Sequence, residues 1–257
     1  LGLDAKNPAI VLPCADLAAT AKEVIAGALA FNGQRCTALK IIWVPRAQAD
    51  AFNQLCVERI NQLKVAMPWQ QGADITPLPE PNKTQHLDAL LQDALGHGAS
   101  VQNPHGGEFI GSLYRPALLY PVNASMRLYH EEQFGPLVPV VPYDSIDEVI
   151  DYVIHSDFGQ QLSIFGQDSA AIGPLVDIFA NQVGRININS QCQRSPDSFP
   201  FTGRKDSAEG TLSVEVALLQ FSIPTLVAAK HNAQQIDLVK SMIKERHSTF
   251  LATDFLF

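Results

Sequence analysis

The order of apolar and polar residues changes period repeatedly along this 257-residue chain, from helical spacing to short apolar runs and back. From Asp16 onward, Leu17, Ala21, Val24, Ile25, Ala28 and Leu29 fall on one helical face. Asp16 is placed as the N-cap, and Gly33 suits a left-handed C-terminal position. Residues 41–44, Ile-Ile-Trp-Val, predict a buried strand closed by Pro45, and a helix follows with Phe52, Leu55, Cys56, Ile60 and Leu63 on its apolar stripe. Residues 67–82 carry Pro68, Pro77, Pro79 and Pro81 and predict an extended surface connection. Helical spacing returns over 84–96, and a short strand between turns is expected within 96–107.

Residues 118–120 and 137–141 are further strand candidates, the second demoted by Pro139 towards an edge or an irregular ladder. Ser145 and Glu148 have capping-box spacing ahead of Val149, Ile150, Val153 and Ile154. Then come a strand over 162–165, a helix over 168–180 with Pro174 in its first turns or at a break, and a strand over 185–189. Residues 190–211 predict a packed loop, 221–229 a strand, and Asn232 with Gln235 the cap of a final helix carrying Ile236, Val239 and Ile243. This alternation predicts an α/β fold, a largely parallel twisted sheet flanked by helices.

Composition narrows the function. Hydrophobic residues make up 46% and charged residues 17%, with no apolar run long enough to cross a bilayer, so no membrane role is expected. The 26 acidic against 18 basic side chains give a formal charge of -8, the wrong sign for nucleic acid as a partner. Cys14, Cys36, Cys56 and Cys192 show no CxxC pair and no staple-like spacing, which fits a reduced, cytoplasmic protein. The opening Leu1-Gly2-Leu3-Asp4 resembles neither a signal peptide nor an initiator methionine, and reads as a start inside a larger protein.

Cys36 is the residue with the most chemistry at stake. It follows the helix and the Asn32-Gly33 stop, on a turn, with Arg35 beside it to favour the thiolate. Its local surroundings leave two readings open: a reactive thiol, or a small buried hydrophobe. Cys56 and Cys192 are expected to be structural, and Asp4 a solvated turn residue. His86, His97 and His105 lack metal-ligand spacing, so no metal site is expected, and Gly106-Gly107 reads as a turn.

Three strings bear on the choice. The opening segment through Lys6-Asn7-Pro8, followed by Gly33-Gln34-Arg35-Cys36-Thr37, is similar to an E-L-G-G-K segment and a G-Q-x-C nucleophile loop. Glu131-Glu132-Gln133-Phe134-Gly135-Pro136 matches an E-E-x-F-G-P coenzyme motif. Pro200-Phe201-Thr202-Gly203-Arg204-Lys205-Asp206-Ser207 is similar to P-F-x-G-x-K-x-S. In this order they resemble the aldehyde dehydrogenase superfamily, over nearly the whole chain up to about residue 229. Residues 67–69, 74–81 and 193–200 further resemble the non-phosphorylating, NADP-dependent glyceraldehyde-3-phosphate dehydrogenase branch.

The resemblance implies a catalytic domain over 1–195, a returning segment with an oligomerisation strand over 196–229 and a helical tail over 230–257, with the nucleotide-binding domain absent from this chain. It implies that Cys36 attacks an aldehyde, with its own backbone N–H as one oxyanion donor, and that a thiohemiacetal then passes through a thioester to the carboxylic acid. Glu132 would accept hydrogen bonds from the nicotinamide ribose, Phe134 would wall it, and Arg35 and Arg194 would bind a substrate phosphate, with an ordinary salt bridge the alternative for Arg194. The cofactor is NADP or NAD, not expected to bind this chain in isolation. The family's general base, the Glu of E-L-G-G-K, would stand one position before Leu1, so the isolated chain is expected to be inactive. The partners implied are a small-molecule aldehyde and further copies in a homo-oligomer. The competing readings are a non-catalytic oligomerisation module, an aldehyde dehydrogenase for a non-phosphorylated aldehyde and, last, a Cys-His hydrolase.

Overall fold

Two short apolar runs set the centre of the sheet. In the computed structural model, which describes residues 2–251, β1 (Pro8–Val11) and β2 (Ile41–Pro45) are buried at every position. Strands covered on both faces need no polar alternation, which is why each reads as an unbroken apolar string. Between them runs α1 (Leu17–Leu29), started by the Asp16 carboxylate, which accepts from the Ala18 and Ala19 N–H groups. The chain continues through α2 (Ala49–Ile60), α3 (Lys83–Gly96), β3 (Ser100–Val101) and a hairpin of β4 (Phe109–Ile110) and β5 (Leu113–Tyr114). Then follow β6 (Ala117–Tyr120), the short α4 (Arg127–His130) and β7 (Leu137–Tyr143).

The capping box forms as expected at α5 (Ile146–His155): Ser145 Oγ accepts from the Asp147 N–H and Glu148 accepts from the Ser145 N–H. The first unit is completed by β8 (Phe158–Gly159), β9 (Gln161–Phe165), α6 (Ser169–Phe179), β10 (Arg185–Ile188) and β11 (Arg204–Lys205). Pro174 lies in the second turn of α6 without ending it, since burial of Leu175 and Phe179 beyond it offsets the lost N–H bond.

Seven strands form one sheet in the order β10-β9-β1-β2-β7-β6-β3, parallel throughout except for the edge pair β3–β6. Alternate residues of each strand feed opposite cores. Ile10, Ile41 and Trp43 join Leu87, Leu90, Val149 and Phe179 from α3, α5 and α6. Ala9, Val11, Ile42 and Val44 join Val24, Ile25, Phe52 and Cys56 from α1 and α2 on the other face. The result is a helix layer on each side of a largely parallel sheet.

Two expectations are corrected. Pro139 does not mark an edge: β7 is internal, pairing with β2 on one side and β6 on the other. A proline removes a single donor, and its ring at this position is buried with the rest of the strand, so the sheet tolerates it. The expected strand over 221–229 does not form within the chain. After α7 (Val214–Gln220), residues 221–230 have no regular structure, and Phe221, Ile223 and Leu226 are exposed. A strand needs a ladder partner for its backbone groups, and this segment finds none among the described residues.

The chain divides into two compact units, Leu1–Ala217 and Leu218–Phe257. The second contains α8 (Ala233–Lys244), with Asn232 Oδ1 accepting from the Gln235 N–H as expected from the sequence. Leu1 of the opening motif and residues 252–257 of the expected tail lie outside the described residues.

Truncating Phe52, which is fully buried under α1, should destabilise the first unit by about 3–5 kcal/mol, whereas Ile223→Ala should change stability by less than about 0.5 kcal/mol. Urea unfolding of the purified chain measures both, and equal effects would contradict the described core.

Candidate active site

The amino ends of four parallel strands meet at one edge of the sheet. Asn7 precedes β1, Lys40 precedes β2, Gln133 lies a few residues before β7, and Gln160 precedes and Gln161 opens β9. Cys36 sits above them on the loop from α1 to β2 and is exposed.

The loop's shape is set by a reversal after α1. Phe31, Asn32 and Gly33 all have positive φ. Asn32 is locked in this conformation by two bonds, its Oδ1 accepting from the Thr76 N–H at 2.8 Å and its Nδ2 donating to Thr76 Oγ1 at 3.2 Å. Gly33, expected at the end of α1, lies instead at the end of a single 3-10 turn that follows it. Only glycine fits: a Cβ there would fall 2.6 Å from Gly135 O and 2.8 Å from Ala28 O. This close approach brings the Cys36 loop against the Glu131–Pro136 segment, whose Gly135 in turn lies under Leu87 of α3.

Backbone carbonyls of the loop point into the protein. Cys36 O accepts from Asn7 Nδ2 at 2.7 Å and from Lys40 Nζ at 3.1 Å, and Arg35 O accepts from Lys40 Nζ at 3.0 Å. The Cys36 N–H donates to no group among the described residues. Asn7 also donates to Ala38 O, and its Oδ1 accepts from the Gln161 N–H at 3.1 Å. Gln161 reaches onward, its Nε2 donating to Gln193 O at 2.8 Å and its Oε1 accepting from the Gln193 N–H at 3.1 Å. A hydrogen-bonded path therefore runs from Cys36 to the residue beside Arg194.

Two buried ammonium groups complete the floor. Lys6 Nζ donates to Glu131 O at 2.6 Å and Gln133 Oε1 at 2.7 Å, while Gln133 Nε2 donates to Lys40 O and Leu137 O. Lys40 Nζ pairs with Glu132 Oε1 at 2.7 Å. Burial holds Lys6 well below the usual lysine range, and the like charge of Lys40 adds to the effect. Burial lowers Lys40 too, opposed mainly by the Glu132 carboxylate. Lys6, Asn7, Lys40, Gln133 and Gln161 carried no role in the sequence reading. Their one signal there is a polar residue directly against an apolar strand, where a solvated surface side chain reads the same way.

Glu132 is thus part of a fixed ion pair. Its Oε1 accepts from Lys40 and, at 3.2 Å, from the Ala5 N–H, whereas Oε2 has no partner among the described residues. Phe134, at positive φ, is half-buried, with Lys40 Nζ and Lys83 Nζ each 5.6 Å from its ring centre. The guanidinium of Arg35 lies 5.3 Å over the exposed Phe31 ring and that of Arg194 5.4 Å over Phe201. Neither arginine is in an ion pair among the described residues, so the salt bridge considered for Arg194 does not form. Cys192 is buried beside Ser163, and burial pushes its thiol up to about 11. Cys56 is buried in the α2 core and shifted up for the same reason. Lys205 of the third string acts structurally, donating to the Val153, Ile154 and Ser156 carbonyls at the end of α5. No group of three His, Cys, Asp or Glu side chains among the described residues is arranged to hold a metal ion, and no described helix is long and apolar enough to cross a membrane.

Comparison with known proteins bears directly on this edge. The aldehyde dehydrogenase family model matches residues 1–227. The NADP-dependent glyceraldehyde-3-phosphate dehydrogenase of Streptococcus equinus is 37% identical over 220 residues, 85% of this chain and 45% of that protein. The sulfoacetaldehyde dehydrogenase of Neptuniibacter caesariensis is 29% identical over 222 residues, 86% of this chain and 48% of that protein. Among solved structures, the NADP-dependent glyceraldehyde-3-phosphate dehydrogenase of Bacillus halodurans C-125 complexed with NADP aligns with a TM-score of 0.80 and 37% identity, covering 85% of this chain and 45% of that one. The chain spans less than half the length of these relatives. Because the match runs along the same strands and loops that gather around Cys36, this chain belongs to the aldehyde dehydrogenase family.

Proposed function

We propose that this chain supplies the catalytic thiol and the nicotinamide-side contacts of an NADP-dependent aldehyde dehydrogenase acting on glyceraldehyde 3-phosphate. The observation that carries the reading is the presentation of Cys36: its thiol is exposed, its carbonyl is tied inward twice, and its N–H is unspent. An N–H fixed beside a nucleophile is the donor that a tetrahedral oxyanion requires. The Cys36 thiolate attacks the aldehyde carbon, the carbonyl oxygen takes the negative charge, and the Cys36 N–H faces it. A bound nicotinamide cofactor would supply hydride acceptance at this thiohemiacetal. Cys36 then carries the acyl group as a thioester, and water releases the carboxylic acid and the free thiol.

The donor set fits the nicotinamide end of such a cofactor. Glu132 keeps one carboxylate oxygen for hydroxyl donors while Lys40 and Ala5 hold the other, and Phe134 offers an apolar ring beside it. Lys40 and the Ala5 N–H hold Glu132 in place, and the base for hydrolysis is assigned to a group outside this network. Arg35 and Arg194, both without carboxylate partners among the described residues, are the proposed phosphate ligands. Two of the relatives are named for aldehydes that carry an anionic group, a phosphate or a sulfonate, which agrees with guanidinium groups that have no carboxylate partner among the described residues.

The remaining assignments belong to the same proposal. Residues 1–195 are the catalytic portion, 196–229 a returning and oligomerising segment and 230–257 a helical tail, in a cytoplasmic homo-oligomer. The exposed apolar residues Phe221, Ile223 and Leu226 support association. Sedimentation showing a monomer at high concentration would remove the oligomer.

In the polypeptide carrying the remaining family length, Cys36→Ser should lower aldehyde-dependent NADP reduction by more than about a thousandfold. Normal turnover in that variant would sink the mechanism. Arg194→Gln should raise KM for glyceraldehyde 3-phosphate about tenfold or more and leave KM for unphosphorylated glyceraldehyde nearly unchanged, in line with the worth of a charge-assisted hydrogen bond. Equal effects on both substrates would favour a non-phosphorylated aldehyde instead.

A further inference from the structure

A lysine ammonium has three N–H donors, and at Lys40 each has an acceptor: Arg35 O, Cys36 O and Glu132 Oε1. The side chain is 1% exposed, so little water screens its charge. Burial works against the ammonium, while the Glu132 carboxylate first, and the Cys36 thiolate after it, favour it. The neighbouring Lys6 spends its bonds on neutral acceptors, Glu131 O and Gln133 Oε1. Among the described residues, Lys40 is therefore the cation bonded both to the nucleophile loop and to the segment assigned to the cofactor.

One charge placed between two anions is shared by them. Whatever neutralises the carboxylate leaves more of the ammonium's potential for the thiolate, and whatever removes the ammonium takes it from both. We propose that Lys40 is a positioning residue that couples the charge of Glu132 to the reactivity of Cys36, so that the state of the carboxylate is felt at the thiol. Its meaning for turnover rests on the aldehyde dehydrogenase reading, but the coupling is a property of this chain's own residues. Hydrogen bonding of cofactor hydroxyls to Glu132 would draw on the carboxylate's charge and shift the ammonium's influence towards Cys36.

The test needs neither aldehyde nor cofactor. Alkylation of Cys36 by iodoacetamide at neutral pH, followed by peptide mass spectrometry, reads thiol reactivity directly. Lys40→Met should slow alkylation about tenfold, because the buried cation bonded to the Arg35 and Cys36 carbonyls is lost. Lys40→Arg, which keeps the charge, should stay within about threefold of the parent chain. Glu132→Gln should accelerate alkylation about threefold or more, because the ammonium loses its competing anion. A lysine that merely braced the loop would make Lys40→Met and Glu132→Gln err in the same direction. An unchanged rate in Lys40→Met, or a slower one in Glu132→Gln, overturns the proposal. Should Lys40→Met fail to fold by circular dichroism, the sign of the Glu132→Gln effect decides alone. Loss of the proposed dehydrogenase activity would be seen separately in the turnover of the Cys36→Ser protein, which leaves the alkylation result standing.

Discussion

A buried ammonium must find an acceptor for every N–H, because the cost of taking it out of water is several kcal/mol unless it is paired and bonded. Lys40, with all three N–H groups bonded, and Lys6, with two acceptors among the described residues, impose that constraint at the amino edge of the sheet. Their acceptors come from residues far apart in the chain: the carbonyls of Arg35 and Cys36, the carboxylate of Glu132, the carbonyl of Glu131 and the amide of Gln133. Meeting the constraint fixes the Cys36 loop against the Glu131–Pro136 segment. Gly33 and Gly135 make the approach sterically possible, and the lysines make it electrostatically necessary. Asn7 adds an uncharged clasp from a third direction, and Gln161 extends it to the segment before Arg194.

This arrangement sits at the end of the sheet opposite to the one that open parallel α/β sheets commonly use, where ligands lie outside the carboxyl ends of the strands. Here the residues that precede β1, β2 and β7 and open β9 converge instead. The consequence for chemistry is rigidity. Cys36 is on a loop, but the loop's carbonyls are held by groups anchored at the starts of central strands, so the thiol is exposed while its backbone is not free to wander. The Cys36 N–H, like those of Arg35 and Thr37 on either side, donates to no group among the described residues.

Much of the fold was legible because local signals agreed with burial. Asp16 caps α1, Ser145 and Glu148 close the capping box of α5, and residues 41–45 form a strand buried on both faces. The errors have a common cause. At Pro139 and residues 221–229 local propensity points one way, whereas ladder pairing is decided by neighbours distant in sequence. β7 has two such neighbours and tolerates its proline, while 221–229 has none among the described residues and is irregular. The short pair β8–β11 and the hairpin β4–β5 escaped notice because two-residue strands carry no period.

By itself the sequence determined which residue types are available and which segments want to be helix or buried strand, since capping and periodicity act over a few residues. It also marked Cys36, Glu132, Phe134, Arg35 and Arg194 through motif resemblance. Only the tertiary structure decided that Lys6, Lys40, Asn7 and Gln133 form the floor beneath Cys36, that Glu132 pairs with Lys40, and that Arg35 and Arg194 have no carboxylate partner among the described residues. The physical reason is that electrostatics and hydrogen bonding depend on distance in space and on exclusion of water. Residues 6, 36, 40 and 132 acquire both only when the strands they precede are laid side by side.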